Sequence, residues 1–310
     1  MSSDPLRRGH FFLERRDFGR ALEEARRMSA DFPGNPEVTV IEAQALSGLG
    51  RHEEAAEAAE RLVAEAPSYW LAHAVHAGVL RAASRFDAAL VAADAARDAA
   101  PDRPEAWTEK AASHLGCEQF AAALAAAGHA LALEPESRDA QLMRGHALLA
   151  LNRRHDAEAA FRSILARRPD DADAHAGLAQ TDLLGFRFDR AAEGIRNSLL
   201  IDADDEHSRE LYLQTVRART PVGRIVYGWS IFLLRFPRWA QFALIAGLYV
   251  TVQVLVRGPG SEVLPTALIV VIVVAYVLFC ILTWFGRPII DLYLKMNPET
   301  RRLVEEMRER

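Results

Sequence analysis

The sequence predicts an all-α chain in two parts: a solenoid of about six helical pairs with a closing helix, followed by a hairpin of two apolar helices. Three observations carry this. Pro33, Pro67, Pro101, Pro135 and Pro169 recur at a step of 34 residues, with Ala203 at the sixth place. Ala21, Ala55, Ala89, Ala123, Ala157 and Ala191 keep the same step, each near the start of a second apolar-periodic stretch. A fixed period of this length at two independent positions marks a stack of repeats. Near the C-terminus, 239–256 and 263–285 are uncharged runs of 18 and 23 residues.

Setting each proline as the thirty-second residue of its unit gives repeats 2–35, 36–69, 70–103, 104–137, 138–171 and 172–205. Each reads as helix, break, helix. In the fourth, a helix starts near Glu105, breaks around Gly116-Cys117-Glu118, resumes, and stops at Pro135. Two antiparallel helices approach closely only where side chains are small. The eighth position supplies Gly9, Ala43, Ala77, Ala111, Gly145 and Ala179, and the twentieth is the alanine series. Bulky residues beside the crossing fill the remaining space: Phe12, Leu46, Leu80 and Leu148 at position 11, and Phe18, Phe86, Phe120 and Phe188 at position 17. His114 and Asp182 depart from the first series, His52 and Arg154 from the second. Proline cannot continue the second helix and turns the chain into the next unit. One pair cannot bury its apolar faces alone, so neighbours must stack.

This pattern, with Trp107 at position 4 of the fourth unit, resembles the tetratricopeptide repeat family over about two thirds of the chain. The resemblance implies a right-handed superhelix whose concave groove binds protein or peptide partners through first-helix positions 2, 5, 9, 12 and 13. Carried over, these give Glu37, Glu105, Asp139 and Asp173 at position 2, and Thr108 and Leu142 at position 5. They give Gln44, His146 and Gln180 at position 9, and Arg81, Leu115, Leu149 and Leu183 at position 12. The Lys/Asn clamp with which some family members hold a terminal carboxylate is not matched. Two readings of the leucine row stay open: a groove for an apolar or amphipathic segment bearing basic residues, or internal packing.

After the sixth unit, Asp205 to Arg219 reads as a capping helix, acidic at its start and basic at its end as the helix dipole favours. Residues 221–238 place Arg224 and Arg235 on one helical face among Tyr227, Trp229, Phe232 and Leu233. This suits a helix lying in a membrane interface or one packed on the repeats. The runs 239–256 and 263–285 are long enough to cross a hydrocarbon core of about 30 Å, the first only just. The short turn from Arg257 to Glu262 makes them an antiparallel hairpin, with Trp239 and Trp284 toward its ends. Basic residues cluster before and after the hairpin, while the turn holds only Arg257. The positive-inside rule therefore puts both termini in the cytoplasm. Residues 286–310 read as a cytoplasmic amphipathic tail. Ala243 and Gly247 form a small-xxx-small pair through which the chain could self-associate.

Charge divides at the same boundary. Residues 1–215 hold 25 Lys/Arg against 36 Asp/Glu, a net of −11; residues 216–310 hold 12 against 6, a net of +6. An acidic repeat region excludes nucleic acid, whose phosphates need a basic face, and the basic end suits an anionic bilayer. Cys117 and Cys280 offer neither a disulfide framework nor a metal set, and the N-terminus has no apolar core of a secretory signal. His73 and His76 lie three apart without HExxH or a carboxylate cluster, and there is no phosphate loop or nucleophile elbow. No catalytic, metal or cofactor site is therefore expected. The expected function is scaffolding: a partner held in the groove of a protein anchored in a membrane, the Ala- and Arg-rich composition suggesting a bacterial inner membrane. The alternative is an assembly factor or structural subunit of a larger membrane complex.

Overall fold

The computed structural model describes residues 5–203 and 205–219, together with Gly223, Arg224, Tyr227, Gly228, Gly247, Val250, Val271 and Val274. Among these residues the chain is all helix. It divides into two compact units, Met1–Pro169 and Asp170–Arg310. The first holds five pairs: α1 (Pro5–Glu14) with α2 (Phe18–Asp31), α3 (Pro36–Gly48) with α4 (His52–Glu65), α5 (Trp70–Ala82) with α6 (Phe86–Ala99), α7 (Pro104–Gly116) with α8 (Phe120–Leu133), and α9 (Arg138–Ala150) with α10 (Arg154–Leu165). The second holds α11 (Ala172–Leu184) with α12 (Phe188–Ile201), and then α13 (Glu206–Arg219).

The two helices of each pair are joined by one repeated backbone device. Position 15 is left-handed in all six repeats, at Arg16, Gly50, Ser84, Glu118, Asn152 and Phe186. The next residue donates its N–H back to the carbonyl of position 11, as in Arg85 to Leu80 and Arg187 to Asp182, both 2.8 Å. That closes the first helix with a Schellman-type bond. The same residue's carbonyl accepts from the alanine at position 20, for example Ala89 N–H to Arg85 at 3.0 Å, and so opens the second helix. One residue thus serves both helices. Only Gly50 adopts the left-handed conformation freely; for the others it costs about 1–2 kcal/mol.

Packing follows the small positions. All six alanines at position 20 are fully buried, as are Ala43, Ala77, Ala111 and Ala179 at position 8. Position 24 faces them across the pair: Ala59, Ala93 and Ala127 sit opposite alanines, whereas Phe161 sits opposite Gly145. A Cβ on Gly145 would lie 2.6 Å from Phe161 Cε1, so this repeat exchanges an Ala/Ala pair for Phe/Gly. The position-17 aromatic plugs into the following repeat. A Cβ on Gly48 would meet the Phe18 ring at 2.5 Å, and one on Gly116 the Phe86 ring at 2.6 Å.

A contact shared by several repeats fixes how each unit begins. The position-4 side chain bonds to the carbonyl six residues earlier, at the closing proline: Trp107 Nε1 donates to Pro101 at 2.7 Å and Gln141 Nε2 to Pro135 at 3.1 Å, and His73 Nε2 lies 2.8 Å from the Pro67 oxygen. In α13, Arg209 Nε donates to the carbonyl of Ala203, the proline's stand-in, at 2.9 Å. The helix expected as a cap is therefore the first helix of a seventh unit kept in register. It packs on both α11 and α12, with Ser198 and Ser208 hydrogen-bonded at 2.9 Å in the buried contact. Beyond it, Tyr227 lies edge-on to Phe186 and Phe188, with centroids 6.1 and 5.9 Å away.

The expected spans 239–256 and 263–285 lie outside the described residues except at Gly247, Val250, Val271 and Val274, which are helical and exposed. Among the described residues no helix is long and apolar enough to cross a membrane.

The Phe161/Gly145 exchange makes a direct prediction. Gly145→Ala should destabilise the fold by about 1–3 kcal/mol through overpacking, and Phe161→Ala by about 3–5 kcal/mol through a cavity. Together they restore the Ala/Ala pair, so denaturant unfolding of the double variant should show a loss clearly smaller than the sum of the two.

Candidate peptide-binding groove

First helices of successive repeats lie side by side within the first unit, α1 on α3, α3 on α5, α5 on α7 and α7 on α9. Their inner faces carry a groove of about 400 Å³, within the usual range for ligand sites. Its apolar floor is on α5, from Trp70, Leu71, Ala74 and Val75. Gln44 and Ser47 of α3 line one side; Glu105, Thr108 and Glu109 of α7, with Ser137 and Asp139 at the start of α9, line the other.

Arg81 crosses the groove wall from α5 to α7, its Nη2 donating to Glu109 Oε1 at 3.1 Å. Gly78 lies under this pair, where a Cβ would make ordinary contact, 3.8 Å from Glu109 Oε1 and 3.9 Å from Arg81 Nη2. The Arg81 Nε is buried without a hydrogen-bond partner. Three carboxylates thus line the groove against one guanidinium. Asp139 accepts from Arg138 Nη1 at 2.7 Å, while Glu105 is exposed. Thr108 donates to its own helix, Oγ1 to the Pro104 carbonyl at 2.8 Å.

The structure brings Gln44, Arg81, Glu105, Thr108 and Asp139 together in this groove. Glu37 is held aside by the Tyr69 hydroxyl, which donates to it, and by His10 at 3.5 Å. The leucine row offers little surface: Leu142, Leu149 and Leu183 are 6%, 7% and 2% exposed, and Leu115 is half-buried. His146 turns its ring edge-on to Phe161 at 5.3 Å. Asp173, Gln180 and Leu183 belong to the second unit, where Leu183 packs with Phe188, Ala191 and Ile195. Leu71, Ala74 and Gly78 were missed although the signal was present: they are the family's positions 2, 5 and 9 in the third repeat, and they line the groove with Arg81 at position 12. Among the described residues no three His, Cys, Asp or Glu side chains come together as a metal site.

A tetratricopeptide repeat family model matches residues 12–78 and 115–181. Over these two stretches the chain is similar to tetratricopeptide repeats. Such repeats generally mediate protein–protein interactions, and their fold is typically a non-enzymatic scaffold. Among solved structures, the chain is similar to a chain of the APC/C hetero-tetramer Cut9-Hcn1, with 16% identity and a TM-score of 0.56 over 68% of this chain and 42% of that one. The present chain therefore spans well under half of that protein. It is also similar to a thermophilic tetratricopeptide repeat protein of Thermus thermophilus, with 23% identity and a TM-score of 0.40 over 68% of this chain and 97% of that one. For YrrB, described as having an unusual peptide-binding site, the values are 17% and 0.39, over 61% and 98%. The first of these likenesses shows the fold. No match was found among curated protein sequences.

Beside the groove floor, Tyr69 ties α5 back to α3 through Glu37. Burial, reinforced by the hydrogen bond to Glu37, pushes its hydroxyl up to about 12 from an ordinary 10.0. A group whose folded pKa is raised contributes stability that is present below its unfolded pKa and lost as pH rises through the folded one. Stability should therefore fall as pH rises from 10 to about 12, and Tyr69→Phe should flatten that fall and remove one late-ionising phenol from the tyrosinate absorbance titration.

Proposed function

We propose that this chain is a membrane-anchored scaffold whose tetratricopeptide groove takes a short protein segment carrying basic and apolar side chains. The observation that carries the reading is the groove's composition. An apolar floor at Trp70, Leu71, Ala74 and Val75 lies beside Glu105, Glu109 and Asp139, with Arg81 as the one cation of the lining. Apolar side chains of the segment fill the floor, and Lys or Arg meets Glu105, the lining carboxylate outside the Arg81–Glu109 and Arg138–Asp139 pairs. A backbone carbonyl of the segment would satisfy the buried Arg81 Nε–H, whose isolation otherwise costs about 1–3 kcal/mol. Glu105, Thr108 and Asp139 are the recognition residues of this reading. His146 packs on Phe161 and lies outside the groove lining.

Two uncharged runs at 239–256 and 263–285 are proposed as the anchor, with both termini on the cytoplasmic side of a bacterial inner membrane. Support comes from their length, the basic residues that flank them, and the exposure of Val250, Val271 and Val274, which is 57%, 62% and 52%. Exposed valines on two helical stretches suit a lipid environment. Anchoring raises the effective concentration of a bound partner at the surface without requiring tight contacts.

Peptide-library selection on the full-length chain tests the groove. Wild type should enrich segments with Lys or Arg beside aliphatic residues. Glu105→Lys combined with Asp139→Lys should shift the selection toward acidic segments and weaken basic ones about tenfold. An unchanged preference in the folded variant would overturn the groove assignment. Carbonate extraction tests the anchor: the chain should stay with the membrane pellet, and release into the supernatant would refute it.

A further inference from the structure

The second unit contains a different kind of cavity. It has a volume of about 490 Å³ and is lined by Phe186, Arg187, Phe188, Asp189, Arg190 and Arg224. We propose that it binds the phosphate of an anionic phospholipid headgroup. This rests on the membrane-anchored reading above, and adds to it a defined lipid site on the repeats themselves.

Charge comes first. Arg187 Nε donates to Asp182 Oδ1 at 2.5 Å, and Asp189 Oδ1 is 3.1 Å from Arg219 Nη2, so these two pairs neutralise one another. Arg190 and Arg224 are exposed and, among the described residues, have no carboxylate at ion-pair distance. The cavity therefore holds a surplus of two guanidinium groups, whose planar forks match phosphate oxygens. Arg224 is also held in place, its Cζ lying 5.5 Å from the Phe188 ring centroid. A cation fixed by stacking loses less freedom on binding than one waving in solvent.

The aromatic wall argues for a lipid over a soluble anion or an acidic peptide. Phe186 is 48% exposed and leans edge-on against Phe188 at 5.9 Å, which places apolar area beside the two arginines. That juxtaposition fits a headgroup phosphate continued by glycerol and acyl chain. Reach agrees: Arg224 is 15 residues ahead of Trp239, where the first uncharged run starts, and 15 residues extend to at most about 50 Å. The cavity therefore lies within about 50 Å of the start of that run.

The test uses the full-length chain in an uncharged mild detergent, titrated calorimetrically with short-chain phosphatidylglycerol, short-chain phosphatidylcholine and inorganic phosphate. Phosphatidylglycerol should bind and phosphatidylcholine should not. Each basic residue at an anionic surface is worth roughly fivefold. Arg190→Gln should therefore weaken binding about fivefold, and Arg190→Gln with Arg224→Gln about 25-fold. Arg190→Gln alters an exposed side chain only, so it remains informative if the Arg224 change disturbs Phe188. Equal binding of both lipids, or full binding by a double variant with unaltered circular dichroism, overturns the site. Inorganic phosphate binding as tightly as phosphatidylglycerol overturns the lipid assignment. A flat phosphatidylglycerol titration with a chain that resists carbonate extraction refutes the site alone; release by carbonate refutes the anchor.

Discussion

The close approach of two helices at a pair of small residues is the constraint on which each repeat depends. Position 20 is alanine in all six repeats, each fully buried, and position 8 is alanine or glycine. A larger group at either place would push the helices apart and open the space that positions 11, 17 and 24 fill. In the fifth repeat the filler Phe161 is large and Gly145 opposite it is small. The core is thus a series of local volume balances, each satisfied inside one repeat or between neighbours. This is why a solenoid can vary in sequence at every copy and still hold its step.

Much of this was legible in the sequence because steric demands repeat with the backbone. The 34-residue step, the helix boundaries and the small crossings were all carried by residue type at fixed register. The left-handed joint was not legible, because five of its six residues are not glycine. Arg16, Ser84, Glu118, Asn152 and Phe186 share no chemistry; they share only a place between two helices whose closing bonds impose the conformation. Nor was the seventh unit visible, since Leu213 stands where the pattern wants a small residue and Ala203 where it wants proline. Only the Arg209 contact to the Ala203 carbonyl reveals that the register continues.

The groove was half legible for a similar reason. Register says which first-helix positions face inward, but not which of them meet open space. Leu149 and Leu183 occupy the same position as Arg81, yet they are buried whereas Arg81 lines the groove. Side-chain size at neighbouring positions decides between these outcomes. Gly78 and Ala74 leave room above α5, and the arginine crosses that room to Glu109. At the same register His146 stands where Gly78 does and fills the space against Phe161. A groove therefore appears where small residues coincide on adjacent turns, a local coincidence that a periodic reading averages away.

The charge division has a physical consequence for a chain anchored as proposed. Residues 1–215 carry a net −11 and residues 216–310 a net +6, so an anionic surface repels the repeats and attracts the C-terminal part. Screening limits both effects to about 8 Å at physiological ionic strength. Acidic residues far from the surface are thus free to serve partner recognition, while those near it must be neutralised locally. Two carboxylates at or beside the cavity are neutralised in this way: Asp182 is held by Arg187 and Asp189 by Arg219. Without those pairs, negative charge beside the cavity would cancel the two arginines it presents. Local pairing, and not the sum over the chain, sets the sign of the field where it can act.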